Sequence, residues 1–389
     1  MRENHSLNRF VPSLLTLPKG SSLGILGSGQ LGQMMGRAAQ KLGYRVCIYD
    51  SVSQGPATHI ADEVMVHSFD DQEALNHFAS KVDLITIEFE HIPLRALEIL
   101  AALKPVHPSP RVIEICQNRR LEKEFLHSHG IPLAPFEVIT TAQELERALH
   151  HLNAPCLLKT ATEGYDGKGQ IALHPDDDPF LAWDTLKANR AVLEKKIFFL
   201  AEASLIMARS SSGDIVSFPW QENVHLQGIL HTSATSPPFL GEKKARALGE
   251  KILEALEVIG LMTMEFFVLP DGTLLLNELA PRPHNSGHHT LESSLTSQFE
   301  QTIRAIAGLS FGSTELKSEA VMVNLLGDLW RDGDPPWEVL LNHPQVHLHL
   351  YGKKEAKPGR KMGHFTILGK DRENLLLTAE QLFKQLQPR

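Results

Sequence analysis

Cysteine is scarce: Cys47, Cys116 and Cys156 are the three in 389 residues. They are odd in number and lack metal-ligand spacing, which argues against a disulfide framework and points to free thiols in a reducing, cytoplasmic compartment. Surplus positive charge is missing too. The formal net charge of −8 gives no general attraction to phosphate backbones or anionic lipid, although it leaves room for a local basic pocket. Nucleic acid and membrane are therefore not expected as partners. Long apolar runs are also absent, since nothing approaches the roughly 18 residues of a membrane span. The opening "MRENHSLNRFVPSLLTLPKG" has only a short apolar patch broken by prolines, and residues 1–20 read as a loose extension. There is no internal repeat and no low-complexity segment.

What is present is the composition of an ordinary globular protein, 42% hydrophobic and 22% charged, long enough for two or three domains. "SLGILGSGQLGQMMGRAAQKLGYRVCIYD" reads as strand, glycine turn, helix and strand, and "DLITIEFEHI" as a further apolar strand, which together predict a small parallel α/β unit. Pro-rich "KPVHPSPRV" breaks this pattern. A single helix is expected over "RVIEICQNRRLEKEFLHSHG", ended at Gly130. From about 137 to 315, short strands alternate with helices, and the turns "EGYDGKGQ" and "LPDGTLL" suggest antiparallel hairpins. The remaining residues read as a strand-rich cap and a terminal helix.

Gly27-Ser28-Gly29-Gln30-Leu31-Gly32 fits G-x-G-x-x-G, and Asp50 ends the next strand. By itself that pattern suits a nicotinamide dinucleotide, another phosphate ligand, or close packing alone. Lys159 closes an apolar strand ahead of a glycine-rich hairpin bearing Tyr165, Asp166 and Lys168. A lysine there can neutralise phosphate while the loop closes over it as a lid; an exposed hairpin with scattered charge reads the same way. Glu194 and Glu202 sit in apolar settings where a carboxylate can accept ribose hydroxyls, or simply be solvated.

In "LMTMEFFVLPDGTLLLNELAPR", a turn at 269–272 sets Leu276 opposite Glu265 and puts Glu278 diagonal to Glu265 on the same face, about 7–8 Å away. Two carboxylates on one face of an apolar hairpin are costly to bury without a cation. Oxygen ligands without thiolates favour Mg²⁺ at nucleotide phosphates over zinc. Asn277 points to the other face in this register. On the residues alone, the histidines of "PHNSGHH" suit a zinc site, a general acid/base cluster or the polar end of a strand.

"GSGQLGQM", "NRRLEKEFL", "KTATEGYDGKGQ", "EFFVLPDGTLLLNELAPRPHNSGH" and "KPGRKMGH", in this order and spacing, resemble the N5-carboxyaminoimidazole ribonucleotide synthase family of the ATP-grasp superfamily over residues 21–370. The resemblance implies an α/β (α+β) chain: a Rossmann-like pre-ATP-grasp domain over 21–117, an ATP-grasp domain over 118–315 with a mobile lid at about 150–203, and a small C-terminal domain over 316–389. It implies a homodimer that uses ATP, Mg²⁺ and bicarbonate to carboxylate 5-aminoimidazole ribonucleotide through carboxyphosphate. By resemblance, Arg119 and Lys159 meet the ATP phosphates, Glu194 and Glu202 the adenosine, with Asn277 beside the nucleotide, and Glu265 and Glu278 hold magnesium. Gln30, Glu88, Tyr165, Asp166, Lys168, His284, Asn285, Lys353 and Arg360 fall at the ribonucleotide site, with Asp166, Lys159 and Arg360 in catalytic roles. Glu163 departs from the family's usual glycine and adds negative charge near the phosphates. A different ATP-grasp carboxylase or ligase keeps the hairpin glutamates and Lys159, and a nicotinamide oxidoreductase rests on the first glycine loop and Asp50 alone.

Overall fold

The computed structural model describes residues 16–162, 169–236 and 241–388. Tyr165, Asp166, Lys168 and Glu163 fall outside these residues. Among the described residues the strands form three sheets.

The first holds β1 (Ser22–Leu26), β2 (Arg45–Asp50), β3 (Glu63–Val66), β4 (Leu84–Ile87) and β5 (Val106–His107), all parallel in the order β3-β2-β1-β4-β5. Parallel strands as apolar as "LGIL" and "LITI" need cover on both faces. Leu31, Met34 and Met35 of helix Gln30–Lys41 cover one face. Leu75 and Phe78 of helix Gln72–Lys81 and Leu97 and Leu100 of helix Leu94–Ala101 cover the other. Phe299 and Ile303 of helix Gln298–Ile306 join the first face, so the sheet is docked against a late part of the chain.

The single helix expected over 111–130 is two helices, Pro110–Gln117 and Arg119–Ser128. Asn118 between them is extended, and its side-chain oxygen accepts the N–H groups of Arg120 and Leu121 at 3.1 and 3.3 Å. An asparagine offering this cap competes with helix continuation. The break starts a new helix at Arg119.

The second sheet comprises β6 (Phe136–Ile139), β7 (Cys156–Thr160), β8 (Gln170–Leu173) and β9 (Ala191–Lys195), antiparallel in the order β6-β9-β7-β8. Leu158 and Leu193 face a core completed by Leu145 and Leu149 of helix Ala142–Leu152. By the two-residue alternation of strands, Lys159 and Glu194 share the opposite face.

The third sheet contains β10 (Ala201–Arg209), β11 (Ile215–Ser217), β12 (Gln221–Leu226), β13 (Ile229–Thr235), β14 (Gly260–Val268), β15 (Leu274–Ala280), β16 (Glu319–Leu326), β17 (Val346–Leu350) and β18 (Lys361–Gly369). Its order is β15-β14-β10-β12-β13-β16-β18-β17, with β11 also on β10. Met262, Met264, Phe266, Leu274 and Leu276 point into one core with Ile252 and Leu253 of helix Glu242–Ala255. The sheet continues beyond residue 315 through the β13–β16 pair, where Thr232 meets Val323.

Candidate functional site

A cavity of about 340 Å³ opens between the second and third sheets, lined by Arg119, Lys159, Glu194, Glu202, Glu265, Asn277, Glu278, His284 and Asn285 among others. These residues come from β7, β9, β10, β14, β15, the start of helix Arg119–Ser128 and the turn that follows β15. Its charge is segregated.

At one end, Glu194 is buried between two lysines. Lys159 Nζ donates to Glu194 Oε2 at 3.0 Å, and Lys123 Nζ stands 3.6 Å from Oε1. Burial pushes the Glu194 carboxyl up, but the charges of Lys123 and Lys159 outweigh it and hold it below the ordinary carboxylate range. Burial lowers the Lys159 ammonium despite Glu194, and Lys123 and Arg119 add to that lowering. Arg119 donates from its guanidinium to the Thr160 carbonyl and from its backbone N–H to Ala161, the latter at 2.8 Å. Three cations thus surround one carboxylate, leaving positive charge for an incoming anion.

At the other end the carboxylates dominate. The hairpin register differs from the sequence expectation: Phe266 pairs with Leu276, and Glu265 pairs directly with Glu278, because Asn277 is bulged between the two pairs. An extra residue reverses the alternation of the strand beyond it. Leu274 and Leu276 face the core before the bulge and Leu279 after it, so Glu278 turns to the face of Glu265. The bulge also brings Asn277 to the cavity wall, contrary to its expected orientation on the far face. Burial, reinforced by the charge of Glu278, pushes the Glu265 carboxyl up to about 8. Glu202 accepts from His225 Nδ1 at 2.7 Å. Burial pulls the His225 imidazole down, but the bond to Glu202 and the charge of Glu265 more than reverse this.

Two facing carboxylates that resist sharing negative charge suit a divalent cation. Among the described residues no group of three or more His, Cys, Asp or Glu converges as a metal-ligand set. Two protein carboxylates, completed by ligand oxygens and water, match the way Mg²⁺ is usually held at nucleotide phosphates.

Beyond the carboxylates, His284 Nε2 lies 3.1 Å from Glu265 Oε1 and its Nδ1 lies 2.9 Å from Ser286 Oγ. Burial and Arg282 keep this imidazole neutral, well below its usual value. Asn285 is 8% exposed, yet neither its amide oxygen nor its amide nitrogen has a partner within the protein. A buried amide with no protein partner on a cavity wall can bond a water or a polar ligand there. The other histidines of this turn are used elsewhere: His288 packs on Phe299 and His364, and His289 Nδ1 lies 2.7 Å from Ser293 Oγ.

Gln30, Glu88, Lys353 and Arg360 are not in the wall of this cavity. Glu88 instead occupies the glycine loop, accepting the N–H groups of Gly29 at 2.5 Å and Gly32 at 2.9 Å. A Cβ on Gly29 would meet Glu88 Oε1 at 2.3 Å. The helix N-terminus that suits a dinucleotide pyrophosphate is therefore filled by the protein's own carboxylate, which removes the basis of the oxidoreductase alternative. Asp50 accepts from Ser28 Oγ at 2.5 Å. Lys353 Nζ donates to the Lys361 carbonyl at 2.7 Å, and Lys361 does line the cavity. The exposed Arg360 donates to the Glu355 carbonyl at 2.9 Å.

Sequence reasoning assigned no role to several residues at the site. Lys123 is 1% exposed but in sequence is one of several charged residues on a charged helix. Arg282, paired with Glu90 at 2.8 Å, lies inside "NELAPRPHNSGH" four residues past Glu278, and that position was its available signal. His225 carries none in a single sequence.

Three family models match the chain: a ribonucleotide synthetase preATP-grasp domain over residues 21–117, an ATP-grasp domain over 124–299, and a phosphoribosylaminoimidazole carboxylase C-terminal domain over 320–377. An N5-carboxyaminoimidazole ribonucleotide synthase of Brucella melitensis is 44% identical over 356 residues, 90% of this chain and 97% of that protein. The Staphylococcus aureus N5-carboxyaminoimidazole synthetase structure complexed with ADP superposes with a TM-score of 0.88 at 36% identity, covering 96% of this chain and 99% of that one. An Aspergillus clavatus N5-carboxyaminoimidazole synthase, solved with ADP and 5-aminoimidazole ribonucleotide, gives 0.86 at 31% identity, covering 95% and 99%.

Proposed function

The chain belongs to the N5-carboxyaminoimidazole ribonucleotide synthase family of ATP-grasp enzymes, and from that premise we propose how its own residues divide the reaction. The enzyme is an ADP-forming ligase of purine biosynthesis: it uses ATP and bicarbonate to carboxylate 5-aminoimidazole ribonucleotide on its exocyclic nitrogen. The observation that carries the assignment of roles is the charge segregation of the cavity. The polyphosphate of ATP fits the end where Arg119 and Lys159 line the cavity and the buried Lys123 behind them helps to neutralise Glu194. By the family resemblance Glu194 and Glu202 meet the adenosine, Glu202 accepting ribose hydroxyls, and the bond from Lys159 to Glu194 holds that lysine ready for the phosphates. Glu265 and Glu278 would hold magnesium, which when bound offsets the charge of the phosphates.

A bicarbonate oxygen attacks the γ-phosphorus and ADP departs, giving carboxyphosphate. Lys159 stabilises charge on the transferred phosphoryl group, most effectively once water is excluded. The exocyclic amine then bonds to the carboxyl carbon, phosphate leaves, and the amine sheds a proton. Asp166, outside the described residues, is the proposed acceptor of that proton. His284 and Asn285 face the ribonucleotide from the turn after β15, and Gln30, Glu88, Tyr165, Lys168, Lys353 and Arg360 are assigned to its site on the family resemblance alone, the first two and last two of these lying outside the wall of the cavity described above. The unsatisfied amide of Asn285 supports this placement. A homodimer in a reducing cytoplasm completes the proposal, on the family resemblance and on the three free thiols. Among the described residues no helix is long and apolar enough to cross a membrane.

Measurement of ADP release with 5-aminoimidazole ribonucleotide, with and without bicarbonate, tests the reaction. ADP should form in step with an N5-carboxylated product and only when bicarbonate is supplied. ADP release indifferent to bicarbonate, or without that product, would remove this assignment.

A further inference from the structure

Among the described residues β15 is the outer strand of its sheet, with only an isolated bridge from Leu133 to Leu276 on its far side. An edge left open in this way is easily displaced, and a bulge weakens it further. Here the open side is held by the segment 119–133. Leu276 N–H donates to the Pro132 carbonyl at 2.8 Å. Lys123 Nζ donates to the Asn277 carbonyl at 2.8 Å, and Glu122 accepts Leu279 N–H at 3.2 Å. Two consecutive residues of helix Arg119–Ser128 thus grip the backbone immediately before and after Glu278. Both are buried, Glu122 at 4% and Lys123 at 1% exposure. Burying a lysine and a glutamate is costly unless each is paired, and their partners are β15 and, for Lys123, Glu194.

We propose that Glu122 and Lys123 are positioning residues that clamp the bulged edge of β15 and so fix the Glu278 carboxylate opposite Glu265. Lys123 also reaches Glu194, which ties this clamp to the strand pair that carries Lys159. The inference rests on Glu265 and Glu278 being the metal ligands proposed above.

Its test is metal affinity in the intact enzyme. Mn²⁺ is titrated in the presence of saturating ADP and followed by its paramagnetic resonance signal, and ADP binding is measured separately without metal. Glu122→Leu removes the acceptor for Leu279 N–H, and Lys123→Met removes the donor to Asn277. Each should weaken Mn²⁺ binding by about 10- to 100-fold, the range for residues that orient metal ligands, and by more than it changes metal-free ADP binding. Glu122→Gln keeps an acceptor at the same place and should bind Mn²⁺ within about threefold of wild type, following the same orienting logic. Mn²⁺ affinity at the wild-type level in folded Glu122→Leu or Lys123→Met overturns the clamp. So does a loss in Glu122→Gln as large as that of a ligand variant, which remains readable should the other two not fold. Glu278→Gln separates the two levels: unaltered Mn²⁺ affinity there removes the metal assignment itself, whereas a loss there with none in the clamp variants removes only the clamp.

Discussion

Glu265 on β14 and Glu278 on β15 stand directly opposite each other, and they do so because Asn277 is bulged out of the ladder beside them. Were the Phe266–Leu276 register continued without the bulge, Glu265 would meet Asn277, and Glu278 would turn with Met264 into the apolar core. One extra residue in an edge strand therefore converts an ordinary hairpin into a pair of facing carboxylates.

That pair predicts opposite effects on activity and stability. Glu278→Gln removes one charge at nearly constant shape. Turnover should fall by about two orders of magnitude or more, since a metal contributes several kcal/mol of charge stabilisation. Thermal stability without metal should hold or rise, because burial and like charge already raise Glu265 to about 8. Steady-state rates at limiting Mg²⁺ and melting curves in chelator check this; wild-type turnover would contradict it.

Lys159 is predicted to act on ATP and not on the ribonucleotide. Lys159→Met leaves Glu194 with Lys123 as its remaining lysine partner, so the fold should persist. Use of ATP should fall by about 10²- to 10³-fold, as when one stabiliser of developing charge is lost. Binding of 5-aminoimidazole ribonucleotide, measured by calorimetry, should stay near wild type. Unaltered ATP kinetics would rule the assignment out.

Ribonucleotide binding should carry a titration near pH 8. Burial, with Arg360 adding to it, lowers the Lys353 ammonium to about 8 from an ordinary value of 10.5. Below pH 8 the group is cationic and, if Lys353 belongs to the ribonucleotide site as proposed, would attract the ribonucleotide phosphate; above it the charge is progressively lost. Affinity should therefore decline above pH 8, and binding near that pH should take up a proton, because the anion favours the charged lysine. Calorimetry in two buffers of different ionisation enthalpy measures that proton. Lys353→Met should abolish both effects, and a variant that keeps them would show that Lys353 is not their source.

The buried histidines predict acid lability. Burial lowers His107 and His289 to about 4, and it holds His284, His288 and His364 well below 6.5. Between pH 6.5 and 4 the unfolded chain binds protons that the folded chain refuses, so stability falls as pH falls through that window. His107 and His289 each contribute on the order of a few kcal/mol to this loss. Melting temperatures at pH 7, 5.5 and 4.5 should drop steadily, and a flat profile would contradict the burial of these rings as neutral groups.

Much of this was legible in the order of residues. Turn chemistry gave the hairpin, apolar strands around a glycine turn gave the parallel unit, and motif order gave the family, but the register expected for the hairpin set Leu276 opposite Glu265, and the common face of its carboxylates comes from the bulge. Local pattern did not reveal what depends on a competing partner. Asn118 looked like an interior helix residue until its side chain was seen capping the next helix. Gly29 and Gly32 looked like a phosphate cradle until Glu88, 59 residues from Gly29 along the chain, was found in it. Asn277 looked like a strand residue on the far face until the bulge turned it to the cavity.

By itself the sequence determined which chemistry was available: which side chains carry charge, which strands and helices can form, and that carboxylates lie near one another on a hairpin. These follow from covalent order and short-range periodicity. Only the tertiary structure decided which charges are buried and which meet. Lys123 is the single lysine of a charged helix in sequence, with nothing local to mark it as buried, yet packing of that helix against β15 and β9 buries it and brings it to the Asn277 carbonyl and to Glu194. Burial and partnership are properties of surfaces brought together across 154 residues, and no local pattern encodes them.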